Sequence, residues 1–119
     1  MKKIKEMKVD RLNVKVYETA EELGLAAARH TSEFLQSVER SVINLMFSTG
    51  ASQFTFMDGL RKQTIDWRRI HVYHLDEYKD ISPDHSASFR RWIRERIEEV
   101  FQPAKVEYLH GDADNSREE

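Results

Sequence analysis

The chain has 119 residues, with 19 Lys and Arg against 21 Asp and Glu, for a formal charge of −2. That length fits one compact domain, and 34% charged with 39% hydrophobic residues suits a globular chain rather than a disordered one. The near-neutral total argues against a protein whose main task is neutralising nucleic-acid phosphates, and the lack of cysteine excludes disulfides, thiol nucleophiles and cysteine-held metal centres.

The N-terminus is basic (Lys2, Lys3, Lys5, Lys8), but no apolar stretch of signal-peptide length follows. The longest uncharged run, Ser41 to Met57, is broken by Asn44, Ser48, Thr49, Gly50, Ser52 and Gln53 and is not a membrane span. The cytoplasm is the expected compartment. Leu12, Val14 and Val16 alternate with polar residues, the pattern of a strand with one buried face. Thr19 followed by Glu21 and Glu22 marks a helix start. The apolar stripe Leu23, Ala27, His30, Phe34, Leu35 and Val38 carries this helix to about Ser41.

Val42 to Phe47 is apolar on both faces, which predicts a buried, central strand of a parallel sheet. It stops at Ser48-Thr49-Gly50-Ala51-Ser52, and a helix begins near Ser52 with Phe54, Met57 and Leu60 on one side. Ile70 to Leu75 is the next strand, ending at Asp76-Glu77-Tyr78. A third helix is expected from about Ser86 to Phe101, with Phe89, Trp92, Ile93, Ile97, Val100 and Phe101 inward and Arg91/Glu95 and Arg94/Glu98 paired outward. Pro103 ends it, and Val106 to Leu109 forms a last short strand. Alternating strands and helices point to an open α/β sheet, whose ligands bind beyond the carboxyl ends of the strands.

Two segments occupy that position. In Ser48-Thr49-Gly50-Ala51-Ser52, a Gly between strand and helix lets backbone N–H groups turn toward an anion, and the hydroxyls add donors for phosphate oxygens. The same residues would also serve as an ordinary turn with Ser52 as helix cap. In His74-Leu75-Asp76-Glu77-Tyr78, His74 and Asp76 share a strand face. A carboxylate held there can act as general base on a carbon acid; alternatively Asp76 caps the next turn and Glu77 is solvated. His71, His74, Asp76, Asp84 and His85 supply enough donors for a metal, but His71 and His74 fall on opposite faces and no metal-binding spacing is present. The arginines at 90, 91, 94 and 96 alternate with Glu95, Glu98 and Glu99, which reads as a solvated, salt-bridged face rather than a nucleic-acid stripe.

Taken in order, Leu45 to Ser52, Val72 to Tyr78 and Pro83 to Arg90 resemble the N-terminal half of the glucosamine-6-phosphate deaminase/isomerase family, which is related to the 6-phosphogluconolactonases. The most specific part is Asp76-Glu77-Tyr78 followed by Asp84-His85-Ser86-Ala87-Ser88. The resemblance implies a Rossmann-like three-layer α/β/α fold with a mainly parallel sheet, residues 1–119 forming the N-terminal portion of a single such domain. It implies aldose–ketose isomerisation with deamination of an amino-sugar phosphate. Asp76 would be the general base and Glu77 its acidic neighbour at the catalytic site, with Ser48, Thr49, Gly50, Ala51 and Ser52 against the sugar phosphate. It further implies a homo-oligomer acting on a small sugar phosphate, with no metal or cofactor and no nucleic-acid or membrane partner.

Ala51 stands where the family commonly has a second Gly, and Phe89 where it commonly has Tyr. Its histidine acid/base group and most phosphate-binding basic residues come from the second half. Ser116-Arg117-Glu118-Glu119 also spells a capping box with no helix after it, so a truncated and by itself inactive segment is expected. The alternatives are a 6-phosphogluconolactonase-like hydrolase and a non-catalytic sugar-phosphate-binding domain.

Overall fold

The computed structural model describes residues 3–112, so the capping box at 116–119 lies outside the described residues. The fold is mixed α/β and divides into two compact units.

The first unit comprises residues 1–37 and 52–65. Strands β1 (Lys3–Val9) and β2 (Leu12–Tyr17) form an antiparallel hairpin. Helix α1 (Ala20–Ser37) starts where Thr19 Oγ1 accepts the Glu22 N–H at 3.1 Å, with Glu21 and Glu22 favourably placed in its first turn. It packs against α2 (Phe54–Arg61). Its buried face is Gly24, Ala28, Ser32 and Leu35; of the expected stripe Leu35 is buried, but Leu23 and Phe34 are exposed. The reason is close helix approach. A Cβ added at Gly24 would lie 2.4 Å from the Thr55 carbonyl, and one at Gly59 would lie 2.7 Å from the Gly24 oxygen and 2.8 Å from the Ala28 methyl. On α2, Met57 and Leu60 are buried as expected, whereas Phe54 is exposed. Gly24→Ala should therefore cost about 2 kcal/mol in denaturant unfolding, because the added methyl meets backbone that must move as a whole.

The second unit comprises residues 38–51 and 66–119. Its sheet is parallel, in the order β3 (Ile43–Phe47), β4 (Ile70–His74), β5 (Lys105–Glu107). Strand β4, not β3, is the central one, and Met46 on β3 is exposed. On β4, Ile70, Val72 and His74 are buried and His71 and Tyr73 half-buried, the two-residue period of a strand covered mainly on one face. The register Phe47↔His74 sets the two strand ends level, and the Leu75 N–H continues the ladder to the Phe47 carbonyl.

Helix α3 (Phe89–Ile93) runs on through a π-helical turn at Arg94–Glu98 into α4 (Glu99–Phe101). The helix starts three residues later than expected because Ser88 is its N-cap, accepting the Arg91 N–H. It packs on β4 with Trp92, Ile93 and Ile97 buried. Gln102 takes a left-handed conformation (φ 53°) just before Pro103, ending the helix. Arg91 pairs with Glu95 as expected, but Arg94 reaches Asp84 instead, and Glu98 accepts the Tyr108 hydroxyl at 2.7 Å.

Candidate functional site

The carboxyl ends of β3 and β4 lie side by side, and both candidate segments leave from them. Ser48 follows Phe47 directly, and Thr49 and Gly50 continue the loop. Gly50 has φ 112°, a conformation that L side chains rarely adopt, so glycine is what lets the chain turn here. Among the described residues, the hydroxyls of Ser48 and Thr49 have no hydrogen-bond partner. Ala51 opens a 3₁₀ turn, Ala51–Gln53, and the N-cap of α2 is Gln53, so Ser52 does not cap that helix. Ser48 to Ala51 share a unit with Asp76 and Glu77, whereas Ser52 belongs to the other unit.

Asp76 and Glu77 are adjacent in sequence and opposite in circumstance. The Asp76 side chain is exposed, and its carboxylate accepts no hydrogen bond among the described residues. Only its backbone is engaged: the carbonyl oxygen lies 2.8 Å from His74 Nδ1. The Glu77 carboxylate is half-buried and fully occupied. Oε2 accepts the Ser88 hydroxyl at 2.7 Å and the Arg90 N–H at 2.9 Å, and Oε1 accepts the N–H groups of Phe89 and Tyr78, both at 3.0 Å. Partial burial pushes its pKa up, but the Arg90 N–H, the Ser88 hydroxyl and the other two amides together outweigh this and hold it below the usual carboxylate range. Neither ordinary reading from the sequence is what the chain does: among the described residues Asp76 caps nothing, and Glu77 is the anion at the amino end of α3.

The loop between them and α3 is braced. Ser82 and His85 organise consecutive turns, the His85 N–H bonding to the Ser82 carbonyl and the Ala87 N–H to His85 Nδ1. The Asp80 N–H bonds to the Gly111 carbonyl. Tyr78 packs on Phe89 with ring centroids 5.0 Å apart. Arg90 lies over the Tyr108 ring at 5.1 Å and reaches His110 Nδ1 at 3.0 Å, so it is not part of a solvated charge face.

A depression of about 590 Å³ opens beside the strand ends, walled by Met46, Tyr73, His74, Leu75, Tyr108 and His110 among others. Asp76 and Ser48 to Ala51 are not in its walls. Among the described residues no group of three or more His, Asp and Glu side chains is placed to hold a metal ion, and no helix is long and apolar enough to cross a membrane.

No family model matches the chain. A glucosamine-6-phosphate deaminase of Exiguobacterium sibiricum is 31% identical over 83 residues, which are 69% of this chain and 32% of that protein. Among solved structures, a monomeric glucosamine-6-phosphate deaminase of the NagB superfamily superposes with a TM-score of 0.73 at 23% identity, covering 86% of this chain and 44% of its own. A 6-phosphogluconolactonase from Shewanella baltica gives 0.73 at 22% identity, covering 86% of this chain and 46% of its own. The chain thus spans about a third of its curated relative and under half of these structures. By sequence the chain is similar to a glucosamine-6-phosphate deaminase, and it shares its fold with a structure of such a deaminase and with a 6-phosphogluconolactonase.

Proposed function

We propose that this chain is a segment of a sugar-phosphate isomerase/deaminase, acting on an amino-sugar phosphate of the glucosamine 6-phosphate type, with Asp76 as general base. The observation that carries the reading is the contrast between two neighbouring carboxylates: Glu77 is spent on four donors, and Asp76 stands exposed with none among the described residues. A carboxylate without hydrogen bonds, at the carboxyl end of a central parallel strand, is free to take a proton from carbon.

In the proposed reaction Asp76 moves a proton between C2 and C1 of the ring-opened sugar, turning an aldose into a ketose as ammonia leaves and water enters. Backbone N–H groups around Gly50, with the hydroxyls of Ser48 and Thr49, face the phosphate, and Ala51 keeps the turn small. Glu77 contributes by holding the loop to α3 rather than by exchanging protons. In this reading residues 1–119 are the N-terminal portion of a single three-layer, Rossmann-like domain, whose further parts complete the phosphate and acid/base groups.

The test uses the natural polypeptide at full length. It should release ammonia from glucosamine 6-phosphate with formation of the ketose phosphate. Hydrolysis of a 6-phosphosugar lactone without ammonia release would instead establish the lactonase alternative. Tight sugar-phosphate binding with no turnover of either would establish the binding domain.

A further inference from the structure

His74 ends the buried row of β4 and is itself 3% exposed. Its Nε2 lies 2.9 Å from the Leu109 backbone N–H, and its Nδ1 lies 2.8 Å from the Asp76 carbonyl oxygen. These partners fix the ring without ambiguity. A backbone amide can only donate, so Nε2 carries no proton. A carbonyl oxygen can only accept, so the proton of the neutral ring sits on Nδ1 and is donated to Asp76. The imidazole is therefore a directional link, running from the segment after β5 through the core to the main chain of one exposed acid.

We propose that His74 is a positioning residue for Asp76. It fixes the carbonyl of Asp76, the Phe47 carbonyl fixes the N–H of Leu75 before it, and the Glu77 carboxylate fixes the residue after it to the start of α3. The backbone is held on both sides, and only the side-chain torsions of Asp76 stay free. A general base depends on placement to a fraction of an ångström. His74 supplies that placement without touching the reacting atoms. This role rests on the reading of Asp76 as base.

Two substitutions divide the two hydrogen bonds between them. In His74→Asn the amide nitrogen falls near the place of Nδ1 and can still donate to the Asp76 carbonyl, while the Leu109 amide loses its acceptor. In His74→Gln the amide oxygen reaches the place of Nε2 and accepts from Leu109, while Asp76 loses its donor. In the full-length protein, kcat should fall about 30-fold in His74→Gln, and His74→Asn should recover most of that loss. KM should change by less than about 3-fold in both, and their stabilities should fall by similar amounts.

Equal kcat in the two variants, with Asp76→Asn inactive, would overturn the role of His74 alone. Full activity in Asp76→Asn would overturn the base reading and the positioning role with it. Long-range nitrogen–proton correlation on the unsubstituted protein provides a check that needs no variant. It should show the Nδ1–H tautomer for His74, and the Nε2–H tautomer would overturn the proposal even if neither variant folds.

Discussion

On the proposed reading, Asp76→Asn in the full-length protein is expected to lower kcat for ammonia release from glucosamine 6-phosphate by about 10³-fold, with KM within about 3-fold of the unsubstituted protein. Asn has the same shape as Asp but cannot take a proton from carbon. The change therefore removes a step of the reaction and leaves the ground-state contacts alone. Stability should shift by no more than about 0.5 kcal/mol, because the Asp76 carboxylate makes no hydrogen bond among the described residues and its backbone contacts do not depend on the side chain. Steady-state kinetics beside a denaturant melt of the same sample reads both. Unchanged kcat would remove Asp76 from the mechanism.

Glu77→Ala should behave in the opposite way, destabilising the protein by about 2–3 kcal/mol. It removes the acceptor of the Ser88 hydroxyl and of the Phe89, Arg90 and Tyr78 amides. Ser88 is 2% exposed, so water cannot readily replace what it loses. The change also strips the negative charge from the amino end of α3. The effect has a pH signature. The folded-state pKa of Glu77 lies below its ordinary value of 4.5. The unfolded chain therefore binds this proton more readily than the folded one. The stabilisation is complete above the unfolded value and is lost as pH falls through the folded one. Unfolding between about pH 5 and pH 3 should show a shallower loss of stability in Glu77→Ala than in the unsubstituted protein. An identical acid slope in both would mean that the clamp does not form in solution.

The parallel strands were readable because β3 and β4 are short apolar runs bounded by turn residues, and Thr19 marked the start of α1 by the donor and acceptor chemistry of its cap. The buried face of α1 was readable only at Leu35. Periodicity picks out large apolar side chains such as Leu23 and Phe34, whereas this helix buries Gly24, Ala28 and Ser32 because α2 comes too close for anything bigger. Strand β1 carries no apolar alternation because lysines dominate it, and its pairing partner is visible only once the Asp10 turn (φ 53°) is known.

Sequence reasoning singled out Asp76 and Glu77 but not the difference in their surroundings, Glu77 bonded to the start of α3 and Asp76 exposed. That depends on where the amino end of α3 lands, a long-range outcome with no local signal. The spacing from Glu77 to Ser88 was the one available hint, since an acid followed by a helix cap about one loop later is a pair that can meet.

Asp76 contributes its main chain to the architecture and keeps its side chain out of it. Most positions that matter to a reaction are also held by the fold, so changing them risks the whole protein. With Asp76 as the proposed base, the two demands fall on different atoms of one residue. A chain built this way can exchange the group at position 76 while β4, His74 and the Glu77 clamp stay where they are. Such a position gives evolution a socket, through which a single scaffold can be refitted for a different reaction without first being rebuilt.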